Sequence, residues 1–131
     1  MARVPAVLVT HADLAAALLR AAEKVYGPAE DLEVLSNEGL SREALEREIE
    51  RRVAPWPHGG LVLTDFWGGS CTLCGIAAAR GHGEVVVVSG LNLPILLDYL
   101  HNREQTDPIA LAERLQKKGQ ESIRLQRGQP A

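Results

Sequence analysis

The sequence VPAVLVTHADLAAALLRAAEKVYGP, Val4 to Pro28, carries two kinds of pattern in succession. Val4 to Val9 is continuously apolar and rich in β-branched residues, the pattern of a strand buried on both faces. It stops at Thr10-His11. From Ala12 the period changes: Leu14, Leu18, Ala21 and Val25 mark one helical face, good helix formers fill the segment, and Gly27-Pro28 ends it. A buried strand followed at once by a helix is half of a βαβ unit.

The same alternation continues along the chain. Leu32, Val34 and Leu35 suggest a second strand, and Ser41 offers an N-cap to an amphipathic helix whose Leu45, Ile49 and Val53 face inward. The outer face of that helix is rich in Glu and Arg, as expected of a solvated surface with i,i+4 pairs. Pro55, Pro57 and Gly59-Gly60 precede a third buried strand, Leu61 to Leu63, which ends at Thr64-Asp65. The turn Gly68-Gly69-Ser70 then opens a small-residue helix that ends around Gly81. Val85 to Val88 reads as a fourth strand, and Ser89-Gly90 leads to a helix carrying Leu93, Leu96, Leu97 and Leu100. A last helix has Asp107 as N-cap and Pro108 at its first position, and ends near Gly119. Repeated βα units with continuously apolar strands imply an α/β fold: a doubly wound, mostly parallel sheet with helices on both faces, joined by right-handed crossovers. Ser122 to Gln126 alternates like a short edge strand, either antiparallel in the same sheet or paired with another subunit.

Composition sets the bounds. The 131 residues suffice for one domain, expected over residues 1–127 with a frayed tail at 128–131. With 14 Lys+Arg against 17 Asp+Glu the net charge is −3, and no long basic stretch is available to track a phosphate backbone, so nucleic-acid binding is disfavoured. No apolar run approaches the length of a membrane-spanning helix, and Met1 to Leu8 lacks the apolar region of a signal peptide. Cys71 and Cys74 stand at C-x-x-C spacing and are the only cysteines, unlike a secreted disulfide scaffold, so the expected compartment is the cytoplasm.

In an open parallel sheet, ligands bind at the carboxyl ends of strands beside a switch in strand order. That rule selects His11 at the end of the first strand, Asp65 at the end of the third and Ser89-Gly90 at the end of the fourth. His58, His82 and His101 read as surface or capping residues. His11 differs because a buried strand enters a helix there, and a neutral imidazole has a free nitrogen that can act as nucleophile. A buried Asp65 carboxylate needs a partner. It is either a turn aspartate or the acceptor for one ring nitrogen of His11, fixing the tautomer and leaving the other nitrogen free. Gly68, Gly69 and Ser70, at a helix start, present backbone N–H groups suited to an anion such as a phosphoryl group. Cys71 and Cys74 open the same helix. A thioredoxin-like redox pair is one reading of them, and two small residues packed at a helix start is the reading preferred here.

Three motifs, Val7-Leu8-Val9-Thr10-His11, Leu63-Thr64-Asp65-Phe66-Trp67-Gly68-Gly69-Ser70 and Ser89-Gly90-Leu91-Asn92-Leu93-Pro94-Ile95-Leu96-Leu97, stand in the order found in a known family. Together they resemble the IIA domain of the mannose family of the bacterial sugar phosphotransferase system. The resemblance implies a homodimer that exchanges its C-terminal strand. It implies a phosphoryl-accepting histidine at His11, a supporting aspartate at Asp65 and the serine of a glycine turn at Ser70. The implied donor is the phosphohistidine of the carrier protein HPr. The implied acceptor is a separate IIB protein, associated with the membrane through a permease, that phosphorylates a sugar during uptake. Such a transfer requires no metal or other cofactor, and no cluster at metal-ligand spacing is visible.

Two departures bear on the reading. The family often has proline after the glycine-turn serine, where this chain has Cys71. No IIB segment follows within the 131 residues, which also admits a solitary regulatory module whose binding to a target depends on His11 phosphorylation.

Overall fold

The apolar runs become strands, and the longer segments between them become helices. The computed structural model describes residues 3–130; Met1, Ala2 and Ala131, at the ends of the expected domain and tail, lie outside the described residues. The elements are β1 (Ala6–Thr10), α1 (Leu14–Tyr26), β2 (Glu33–Ser36), α2 (Arg42–Val53), β3 (Gly60–Thr64), α3 (Ser70–Ala79), β4 (Val85–Ser89), α4 (Leu93–Asn102) and α5 (Pro108–Glu121). The four strands form one parallel sheet in the order β2-β1-β3-β4.

Right-handed crossovers decide which helix covers which face. The chain steps one way from β1 to β2 and the other way from β2 across to β3 and on to β4. Hence α1 packs on one face of the sheet, and α2 and α3 pack on the other. Alternate side chains of the central strands feed two cores. Ala6, Leu8, Leu61 and Leu63 meet α1, α4 and α5 through Ala15, Ala22, Leu96, Tyr99, Leu111 and Leu115. Val7, Val9 and Val62 meet Leu45, Ile49 and Val53 of α2 and Cys71, Cys74 and Ala78 of α3. Small residues let α3 lie close to the sheet: a Cβ on Gly75 would stand 3.2 Å from Val62 Cγ1.

The expected caps form. Ser41 Oγ accepts the Ala44 N–H at 3.1 Å, and Asp107 Oδ1 accepts the Ala110 N–H at 2.8 Å, each satisfying a first-turn donor. Asp98, buried in α4, takes both Nε and an η-nitrogen of Arg114, at 2.9 and 3.2 Å, tying α4 to α5. Among the described residues no helix is long and apolar enough to cross a membrane.

Two expectations fail in detail. The inward face of α1 is not Leu14, Leu18, Ala21 and Val25. Ala15 and Ala22 are buried with Leu18 and Leu19 packed beside them, while Leu14 is exposed and Val25 is 66% exposed. Alanine on the sheet side brings the helix axis closer, so larger residues on the flank turn outward. The strand expected at Ser122 to Gln126 is not formed within the chain: Ser122 caps α5 and residues 123–130 are irregular. Its apolar residues, Ile123 and Leu125, are 82% and 87% exposed.

The rotation of α1 is open to test by chemical denaturation. Val25→Ser should change stability by no more than about 0.5 kcal/mol, whereas Ile49→Ala on α2 should cost roughly 2–5 kcal/mol. A Val25→Ser loss as large as that of Ile49→Ala would show that α1 faces the sheet as its periodicity first suggests.

Candidate functional site

β1 and β3 are neighbours whose connections leave in opposite directions, so a crevice opens at their carboxyl ends. The parallel register sets Val9 beside Thr64. Just beyond Thr10 and Thr64, where the two strands end, the chain turns away, and His11 and Asp65 meet there although 54 positions separate them.

The local backbone explains why His11 is held. Buried Thr10 turns its Oγ1 back to accept the Ala15 N–H at 2.8 Å, capping α1 in place of Asp13, whose side chain makes no cap bond. Ala12 follows His11 with φ +51°, a left-handed conformation uncommon outside glycine, and its N–H donates to Asn37 Oδ1 at 3.2 Å. The turn is fixed on both sides of the histidine.

Asp65 Oδ2 accepts the His11 backbone N–H at 2.9 Å and lies 2.7 Å from ring Nδ1, while Oδ1 accepts the Phe66 N–H at 3.1 Å. The Asp65 side chain is only 8% exposed. That burial alone works to raise its pKa, but the His11 backbone N–H and the His11 ring outweigh it and hold the carboxyl below its ordinary value. An ionised Asp65 can only accept, so Nδ1 carries the ring proton and the lone pair of neutral His11 lies on Nε2. Nε2 is 3.4 Å from Ser70 Oγ at the first residue of α3. The His11 side chain is 39% exposed and stacks on Phe66, with centroids 5.3 Å apart.

The glycine turn is placed as its sequence suggests. Gly68 has φ +88°, which favours glycine, and a Cβ on Gly69 would stand 2.6 Å from the Phe66 ring. The Gly69 N–H is already engaged with the Phe66 carbonyl at 3.3 Å. The donors left without an intrahelical partner are those of the first turn of α3, beginning at Ser70. Ser89, at the end of β4, lies on the same rim. It contacts Thr72 Oγ1 at 3.3 Å and has no bond to His11.

Several participants escaped sequence reasoning. Buried Thr72 donates its hydroxyl to the Phe66 carbonyl at 2.7 Å, so the Thr64 hydroxyl, also 2.7 Å from Thr72 Oγ1, must donate to it. This chain of hydroxyls ties the glycine turn to the ends of β3 and β4. Thr64, a hydroxyl residue closing a continuously apolar run, was the one available signal. Cys71 is buried, with Sγ 3.7 Å from His11 Nδ1. Burial, with the Asp65 and Cys74 charges behind it, pushes its thiol up to about 11, which does not suit an attacking thiolate. Cys74 is also a free thiol and lies against the Arg42 carbonyl. Although no metal-ligand spacing is visible in the sequence, donor atoms of His11, Asp65 and Cys71 lie within 4.8 Å of one another. Among the other histidines, His82 pairs with Glu50 at 3.1 Å and His101 meets the edge of Tyr26.

A structure described as the mannose/sorbose specific IIA subunit of the phosphotransferase system from Enterococcus faecalis superposes with a TM-score of 0.86 at 19% identity, covering 99% of each chain. The phosphotransferase system component EIIA from Streptococcus agalactiae gives 0.84 at 23% identity, covering 92% of this chain and 95% of that one. The PTS IIA protein associated with the fucose utilization operon from Streptococcus pneumoniae gives 0.81 at 21% identity, over 95% of this chain and 96% of that one. These likenesses show the fold. No curated protein matches the chain in sequence. The family described as PTS system fructose IIA component, EIIA-man, matches residues 6–116, and the chain belongs to that family.

Proposed function

We propose that His11 is a phosphoryl acceptor, taking the group on Nε2 from the phosphohistidine of HPr and passing it to a IIB protein that phosphorylates a sugar during uptake. The observation that carries this reading is the pairing of His11 Nδ1 with Asp65 at 2.7 Å while Nε2 faces Ser70 at the start of α3. Asp65 positions the ring and holds the proton on Nδ1. The attacking lone pair is then directed at the partner's phosphorus, and the donor histidine leaves as the N–P bond forms on His11. The first-turn amides of α3 and the Ser70 hydroxyl supply neutral donors for the phosphoryl oxygens. Neutral donors suit a group that must be handed on, because a cluster of cations would hold it too firmly for transfer between two histidines.

The exposed C-terminal segment supports a homodimer. In the chain itself β4 is a sheet edge, and beside it lies a groove of about 360 Å³ lined by residues that include Trp67, Ile109 and Ala112. An alternating segment carrying Ile123 and Leu125 suits such an edge on a second copy, its backbone pairing with β4 and its apolar residues entering the groove.

Incubation with phosphorylated HPr should label the wild-type protein and leave His11→Ala unlabelled; label retained in the folded variant would refute the assignment. Asp65→Asn should slow labelling roughly tenfold or more. Because the Asp65 carboxyl is held below its ordinary value, the folded state binds fewer protons than the unfolded chain. Its stabilisation is complete above roughly pH 5 and is lost as pH falls through the folded value. The stability difference between wild type and Asp65→Asn should therefore shrink on going from neutral pH to pH ~3. A difference that is flat with pH would contradict the pairing. Deletion of residues 122–131 should convert a dimer to a monomer in light scattering, and an unchanged mass would remove the exchanged strand from the account.

A further inference from the structure

Cys71 is a buried nucleophilic group that phosphoryl transfer leaves unused, and the one that lies against His11. Its Sγ lies 3.7 Å from His11 Nδ1, and Asp65 Oδ2 lies 2.7 Å from the same nitrogen. Nitrogen, oxygen and sulfur donors from β1, β3 and α3 thus converge within 4.8 Å. Ligands about 2.0–2.3 Å from a tetrahedral zinc ion stand roughly 3.2–3.8 Å apart. The sulfur–nitrogen spacing already fits, and the nitrogen–oxygen pair must open by about half an ångström, which is what exchanging the bridging proton for a metal ion requires. Cys71 and Asp65 form the closed side of the site, and the partly exposed His11 leaves an approach from solvent.

We propose that His11, Asp65 and Cys71 form a zinc site whose occupation reversibly blocks phosphoryl transfer at His11. The blocking effect rests on the reading of His11 as phosphoryl acceptor; the binding does not. A donor set with thiolate and imidazole selects zinc over magnesium or calcium, which take oxygen ligands. One carboxylate and one thiolate balance the charge of the ion. On binding, the Cys71 thiol proton leaves to solvent, the His11 ring proton moves from Nδ1 to Nε2, and Asp65 exchanges its ring hydrogen bond for coordination. No oxidant or reductant takes part. The Nε2 atom, now an N–H, has no lone pair with which to attack phosphorus, so zinc-bound His11 cannot accept the phosphoryl group.

The test titrates the whole protein with Zn²⁺ against a chromogenic chelator, with Mg²⁺ as the control ion. Wild type should bind one equivalent of Zn²⁺. Cys71→Ala and Cys71→Ser should each lose more than the roughly tenfold to hundredfold affinity that outer-shell changes cost. Co²⁺ in place of Zn²⁺ should give a thiolate-to-metal charge-transfer band in wild type that both variants lack. In the HPr assay, Zn²⁺ should suppress wild-type labelling and a chelator restore it, and the ratio of labelling with and without Zn²⁺ should approach one in Cys71→Ala. Absence of Zn²⁺ binding, or binding that survives both Cys71 changes as it would at His82 and Glu50, would overturn the site. Cys71-dependent binding in a protein that HPr never labels would uphold the site and refute the phosphoryl reading.

Discussion

The parallel pairing of β1 with β3 is the constraint on which the rest depends. With Val9 set beside Thr64, β1 runs one residue past the end of β3, and the residues just beyond the two strands meet on one rim. A one-residue slip would exchange Val7 and Val9 with Ala6 and Leu8 between the two cores and carry His11 away from Asp65. The register is therefore specified twice, by apolar side chains buried on both faces and by the hydrogen bonds at the strand ends.

Electrostatics then turn a structural meeting point into a chemical one. A carboxylate that is 8% exposed would be costly if alone, yet Asp65 receives the backbone N–H groups of His11 and Phe66 as well as the imidazole. The same contacts hold it ionised, and an ionised acceptor determines the histidine tautomer. Hydroxyls of Thr64 and Thr72 secure the glycine turn opposite, so Ser70 is held near Nε2 by groups on other elements. Membership of a phosphotransferase IIA family agrees with chemistry of this kind.

Much of this was legible in the sequence where local patterns carry the information. Ser41 and Asp107 could be read as caps because a helix start needs an acceptor at a fixed offset, and Leu45, Ile49 and Val53 could be read as a face because polar residues surround them. That His11 and Asp65 lie on one rim of the sheet could be read because both follow the ends of buried strands beside a topological switch. The α1 face was not legible in the same way: with Leu14, Ala15, Leu18, Leu19 and Ala22 apolar on several sides, periodicity cannot fix the rotation, and close packing through alanine decides it. Ser122 to Gln126 alternates as a strand should, but alternation does not say which edge will receive it. Cys71 looked like half of a C-x-x-C motif, and its position beside His11 arises only when segments 60 positions apart fold together.

At the heart of the proposed function, Asp65 keeps the proton on Nδ1 of His11 and leaves Nε2 to carry the phosphoryl group. Nitrogen-15 and phosphorus-31 NMR of the protein before and after reaction with phosphorylated HPr measures this directly. The expected result is a ring whose neutral form carries its proton on Nδ1 and, after reaction, a single phosphohistidine at Nε2 of His11. A neutral ring with its proton on Nε2 before reaction, or a phosphoryl group on Nδ1 after it, would overturn the proposed roles of His11 and Asp65.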